Sequence, residues 1–390
     1  MKIYILYQHV AHYREPIFTE LIEHSELTYE IISDDIAFHT KALKTVKSFE
    51  KPNWTWNKID TFGILIKGHE FIWQPAAVKI LLKRSCDLII LLGDPHFISN
   101  WIILIICKIK KIPVLNWGIG VMRPENGLKW FIRKTYLKLF DRHLLYGNWA
   151  KDYLVTRGFN KDLFTIVYNS LDYKKMKVVR NSITKDKTQR VKETITKDSN
   201  AYLLFHSGRL VKRKKIDFII NAISILKNHM FNVHLLVVGD GPEMSYLQNY
   251  CINNKVKERI HFFGSCYDEY TLALLMSACD ASVVAGQLGL FAIQSLTFGL
   301  PVITHNNKKR ISGPESESII DKKTGFIYEQ DDIGSFVKCL IDFITSNVDR
   351  NYHQNACYSM VEEFYNPQKQ AAIINEAVVN TYTTYRGIAR

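Results

Sequence analysis

A chain of 390 residues is too long for one ordinary hydrophobic core and predicts two domains. Its 47% hydrophobic and 23% charged content excludes a disordered chain, and its longest apolar run, Trp101 to Cys107, is far short of the roughly 20 residues of a membrane span. The formal charge of +13 points to phosphate-bearing substrates, nucleic acid or an anionic membrane surface.

The chain enters a strand pattern, KIYILY (2–7), almost at once, so no leader segment is predicted ahead of it. The following QHVAHYRE (8–15) ends that strand and brings Gln8, His9, His12, Tyr13 and Arg14 to one loop. Arg14 adds a cation to that loop. PIFTELIEH (16–24) is read as a helix, and the continuous apolar run DLIILLG (87–93) as a strand buried on both faces. GDPHFISN (93–100) offers Asp94 and His96, a carboxylate and an imidazole at a strand end. A helix and the strand IPVLNWG follow, with Trp117 at its end. LKWFIRKTYLKLFDR (128–142) spaces Leu128, Phe131, Ile132, Leu139 and Phe140 near helical period among five cations. Such a helix either buries that stripe in its own domain or lies on anionic lipid. HLLYG (143–147) and FTIVYNS (164–170) complete a first strand–helix series, which predicts a parallel sheet.

Residues 173–200 are polar, rich in Lys and Thr, and read as an exposed interdomain linker, or in part as a short helix. The alternation restarts at AYLLFHSGR (201–209) and runs through VHLLVVGDG, RIHFFG, DASVVAG and PVITH to about residue 365, giving a second parallel α/β unit. Within it, HSGRLVKRKK (206–215) ends a strand at Gly208 and brings Arg209 and Lys214 to the start of a helix. That combination makes an anion site. VVGDGP (237–242) is a second strand end with Gly239 and Gly241. GQLGLFAIQSLTFGLPVITH (286–305) opens a short helix at Gly286 and Gly289, and carries Gln294 two turns on. The seven cysteines are an odd count with no C-x-x-C pair, which predicts a reduced, cytoplasmic protein with neither a zinc site nor a disulfide framework, and no metal or resident cofactor is expected.

Taken in order, G-R-L-V-x-x-K, V-G-D-G-P and the glycine-bearing helix ending in G-L-P-V-I resemble the retaining family-four glycosyltransferases, known as glycosyl transferases group 1. GPESE (313–317), KKTGFIY (322–328) and YNSLD (168–172) extend the likeness over almost the whole chain. The resemblance implies the GT-B fold, two doubly wound Rossmann-like domains facing across a cleft. Residues 1–172 would bind the acceptor, 201–365 the nucleotide-sugar donor, and 366–390 would be a helix packing back toward the first domain. Arg209 and Lys214 would neutralise the departing diphosphate. Gly208, Gly239, Gly264, Gly286, Gly289, Leu290, Gln294 and Glu315 would surround the donor. His12, Arg14, Asp94, His96 and Trp117 would face the acceptor.

The pattern departs from the family at two points. Its usual donor-loop glutamates are replaced by Gly286 and Gln294, and Ile119 stands where related sequences carry a histidine. The loop instead resembles a polysaccharide and lipopolysaccharide branch, with Glu315 or Glu317 available as a nearby carboxylate. The expected partners are a nucleotide diphosphate sugar and a glycan or lipid-linked acceptor at the inner face of a membrane. Two alternatives are a catalytically inactive partner subunit and a nucleotide-sugar epimerase. Nucleic-acid binding has only the charge in its favour and no recognisable module.

Overall fold

The computed structural model describes residues 1–38, 45–47, 50–51, 53–66, 68–346 and 349–388. It divides into two compact units, Met1–Leu171 with Pro367–Arg390, and Asp172–Asn366. In the first, β1 (Lys2–His9), β2 (Thr28–Asp34) and β3 (Trp56–Lys58) form one side of a seven-stranded parallel sheet. A separate antiparallel hairpin, β4 (Phe62–Ile66) and β5 (His69–Trp73), stands outside it. The sheet continues through β6 (Leu88–Leu92), β7 (Val114–Gly118), β8 (Arg142–Leu145) and β9 (Phe164–Ile166), in the order β3-β2-β1-β6-β7-β8-β9.

The uninterrupted apolar strands follow from burial on both faces. Along β1, Ile3 and Ile5 join one core with Phe18, Leu88 and Trp117, whereas Tyr4 and Leu6 join another with Ile89, Leu91 and Leu104. The last helix belongs to this unit, because Ile374, Ala377 and Val378 enter the core of Ile3 and Ile5.

In the second unit β10 (Tyr202–Ser207), β11 (Val233–Val238), β12 (Ile260–Gly264), β13 (Ala281–Val284), β14 (Val302–His305) and β15 (Gly325–Tyr328) form a parallel sheet ordered β12-β11-β10-β13-β14-β15. Leu204, Leu235 and Val237 face one core, and Leu203, Phe205, Leu236 and Val238 the other.

Residues 173–200 are not a linker. They form two helices, Tyr173–Asn181 and Lys185–Thr196, inside the second unit. Met176, Val179, Ile183, Val191 and Ile195 recur at helical spacing and pack on the core of Leu203 and Phe205. Their stripe is narrow and the other faces are Lys- and Thr-rich, so the polar composition concealed it. Lys192 Nζ, 2.9 Å from Asp280 Oδ2, fixes the second helix, and Asp280 in turn accepts the Leu203 amide at 2.7 Å.

Each unit also buries a neutral histidine. His143 on β8 and His206 on β10 are fully buried, and burial pushes their pKa from 6.5 to about 3 and about 4 respectively. The folded protein therefore resists protonation while the unfolded chain accepts it. Stability should fall as pH drops below 6.5, by roughly 1.4 kcal/mol per pH unit for each histidine until its folded pKa is reached. Urea unfolding between pH 7 and 5 should show this loss, and His206→Gln should flatten the slope for the second unit.

Candidate functional site

Strand order reverses between β10 and β13 in the second unit, so the loops after those two strands border a crevice at the carboxyl ends of the sheet. The loop after β10 carries Gly208, Arg209 and Lys214; the loop after β13 carries Gly286–Leu290.

The first of these loops is braced by the G-D-G segment. Gly208 N donates to Val238 O at 3.0 Å, and Leu210 N to Asp240 O at 3.0 Å. Gly239 has φ +146°, and a Cβ there would lie 2.0 Å from Gly208 O. Gly239 therefore serves the close approach of the neighbouring loop. Its own amide is turned away, donating to Gly264 O at 2.7 Å. Arg209 is exposed, with no hydrogen bond or ion pair to another described residue. Lys214 is half-buried, and burial, with Arg213 beside it, holds its pKa below the ordinary lysine value.

The second loop is tied down at four points. Lys214 Nζ donates to Gln287 O at 2.7 Å, and Gln287 N to Arg213 O at 3.4 Å. Leu288 N donates to Ser312 Oγ at 3.2 Å. His305 Nδ1 accepts the Asn307 amide at 2.9 Å, so Nε2 carries the proton and donates to Gly286 O at 3.1 Å. The position the family commonly gives to glutamate is closed to any side chain. A Cβ on Gly286 would lie 2.1 Å from Arg213 O and 2.8 Å from Lys214 Cα. The turn bearing Lys214 has moved into the space a carboxylate would need.

Gly289, with φ +63°, and Leu290 lead into a helix of only seven residues, Phe291–Thr297, where Gln294 is half-buried. Glu315 is buried in the 3-10 turn Pro314–Ser318, with Oε2 folded back over Gly313. Gly264 ends β12 with φ +85° and open space about its Cα. Sequence reasoning missed His305 as the clamp on the 286–288 loop, since a strand-end histidine carries no signal of its partner.

The first unit has its own reversal, between β1 and β6, and a cavity of about 700 Å3 opens there. Arg14 and Asp94 line it, with Gln8, His9, Tyr146 and Glu125. His96 sits beside the cavity with Nδ1 2.7 Å from Asp94 Oδ1, and the His69 ring stacks on it at 4.8 Å. Two predicted acceptor residues are placed elsewhere. His12 is exposed and outside the lining. Trp117 is fully buried in the core with Phe18 and Tyr7, because the pleat of the central strand β7 turns it inward. Trp117 meets the cavity lining through Tyr7 and through Arg14, whose guanidinium lies 5.5 Å from its ring. Tyr146 was overlooked although it follows β8 in HLLYG, a strand end of the kind that builds such sites.

Residues 187–359 match the family model described as glycosyl transferases group 1. Alpha-monoglucosyldiacylglycerol synthase of Streptococcus pneumoniae is 30% identical over 144 residues, 35% of this chain and 31% of that protein. A GDP-mannose-dependent alpha-(1-6)-phosphatidylinositol dimannoside mannosyltransferase of Mycobacterium tuberculosis is 30% identical over 104 residues, 26% of each chain. The chain thus spans about a quarter to a third of these curated relatives. Likeness of fold extends further. The lipopolysaccharide outer core galactosyltransferase WaaB aligns with a TM-score of 0.70 at 16% identity, over 97% of this chain and 99% of its own. The Anabaena protein Alr3699/HepE, solved in complex with UDP, aligns with 0.72 at 14% identity, over 97% and 100%. The chain thus has the GT-B fold, two parallel α/β units each with its strand-order reversal, and its residues 187–359 are similar to the glycosyl transferases group 1 model.

Proposed function

We propose that the protein is a glycosyltransferase that moves a sugar, with retention of configuration, from a nucleotide diphosphate sugar to a glycan or lipid-linked acceptor in surface-polysaccharide assembly. The observation that carries this reading is Lys214, tied to the braced 286–288 loop at the strand-order reversal of the second unit, with Arg209 earlier in the same loop after β10. Charge developing on the leaving diphosphate would meet two cations already in place, one free to grip and one held by Gln287. Gln294 would accept a ribose hydroxyl through its amide oxygen, without the charge assistance of a glutamate. The relatives whose names describe glycolipid synthesis, and the neighbour holding UDP, support the same reading.

Binding of UDP, GDP and CDP and their sugars to the purified protein tests it directly. Selective binding that weakens in Arg209→Ala would support the donor assignment and identify the base. A well-folded protein that binds none of them at millimolar concentration would instead favour the inactive partner subunit, the reading that the missing glutamates favour.

The first domain is proposed to touch an anionic membrane through the helix Gly127–Leu137. That helix buries Trp130, Tyr136 and Leu137 but leaves Leu128 73% and Phe131 66% exposed, with Lys129 and Lys134 nearby in sequence. Among the described residues no helix is long and apolar enough to cross a membrane. Phe131→Glu should reduce co-sedimentation with phosphatidylglycerol vesicles several-fold, by removing apolar area and adding repulsion. Equal sedimentation of both proteins would reject the contact.

A further inference from the structure

The cavity of the first unit holds an unusual group of polar atoms. Gln8 Nε2, His9 Nδ1 and Arg14 Nη1 are buried without a hydrogen-bond partner among the described residues, and all three side chains line the cavity. Gln8 is 8% and Arg14 7% exposed. Native folds rarely leave such polar atoms unpaired, and a buried charge is the costliest to leave so.

Arg14 is the centre of the group. Its guanidinium is surrounded by the rings of Tyr146, Trp117, Tyr7 and Tyr13, at 5.0 to 5.7 Å, and Nη2 donates to Tyr146 Oη. Aromatic faces and phenols attract a cation but do not neutralise it. Burial pushes the phenol pKa values of Tyr7 and Tyr146 up, so both stay uncharged at neutral pH.

The carboxylates in the cavity are committed elsewhere. Glu125 takes Lys129 at 3.0 Å and Arg133 at 2.6 Å, while Asp94 takes His96. Arg123 adds an exposed cation to the lining. The outcome is a cavity with excess positive charge, lined at the end of β1 and the turn after it by side chains that each carry a buried nitrogen without a partner among the described residues.

We infer that this cavity binds a phosphoryl group, held by Arg14 Nη1 and Gln8 Nε2, and that the group is part of the acceptor. Donors spread over several side chains suit a tetrahedral group with three free oxygens better than a planar carboxylate. The acceptor role rests on the proposed transfer reaction, but the phosphoryl site itself does not.

Calorimetric titration of the full chain carrying Arg209→Ala and Lys214→Ala tests the site with diphosphate binding at the second unit weakened. Geranyl diphosphate should bind and geraniol should not. Arg14→Gln should weaken geranyl diphosphate about tenfold or more, and Gln8→Leu by a smaller factor. Inorganic diphosphate matching geranyl diphosphate would keep the phosphoryl site and assign it to a free anion; much weaker binding would assign it to a lipid-borne group.

Geraniol binding as well as its diphosphate, or an unchanged affinity in Arg14→Gln, would overturn the inference. If Arg14→Gln does not fold, Arg14→Lys and Gln8→Leu decide the matter. The lysine keeps the charge but lacks the fork and should bind several-fold more weakly. Unchanged affinity in both would overturn the site. Geranyl diphosphate binding in a protein that ignores all nucleotides would preserve this site while rejecting the transfer reaction.

Discussion

Arg209→Ala should lower the transfer rate roughly a hundred- to a thousand-fold, the usual effect of removing one preorganised group that meets transition-state charge. Its thermal unfolding should stay where it was. Arg209 is exposed and has no partner among the described residues, and such surface changes stay within about 0.5 kcal/mol. Lys214→Ala should behave differently. Its ammonium holds Gln287 O at 2.7 Å, so its loss removes a charge and also releases the donor loop. We expect a higher KM for the nucleotide sugar together with a lower kcat, where Arg209→Ala chiefly lowers kcat. Steady-state kinetics on the two variants separates these effects. Full activity in either would remove that side chain from the diphosphate site.

Gly286→Glu, which restores the residue the family commonly carries, should damage the protein. The new Cβ would sit 2.1 Å from Arg213 O, so the 212–215 turn would have to move and take Lys214 with it. Overpacking of this kind costs about 1–3 kcal/mol, and the displaced lysine would no longer meet the diphosphate. Gly286→Ala should move both quantities in the same direction, since the clash begins at Cβ. Melting temperature and nucleotide affinity measured on both variants check this. A stable Gly286→Glu protein with tighter nucleotide-sugar binding would mean that the loop is a degraded form of the glutamate-bearing kind. The four ties on residues 286–288 argue against that outcome, because they hold the loop in one defined conformation around the absent side chain.

The alternating apolar runs determined the two parallel sheets without help from tertiary structure. A strand such as LIILL, apolar at every position, is stable only when both faces are covered, and that requirement is written in the residues themselves. The same holds for the meeting of Lys214 with Gly208, since a strand end followed by a glycine and a helix brings them together by local geometry. Polar composition misled where the apolar stripe was thin. Met176, Val179, Ile183, Val191 and Ile195 amount to five residues in a Lys-rich stretch, yet their spacing is helical and they cover a sheet face.

Other features depended on partners distant in sequence and were decided only by the folded chain. Gly286 is closed to a side chain by Arg213, over 70 positions away, and His305 clamps the loop of residue 286 from the neighbouring strand. Trp117 looks like a site residue because it ends a strand, but the pleat directs it into the core. Arg14 reads as one cation in a loop. Tyr146, 132 positions away, together with Trp117 makes it a buried charge, because the parallel sheet sets the ends of β1, β6, β7 and β8 in one row. Local pattern sets what each segment can be; only strand order decides which segments meet.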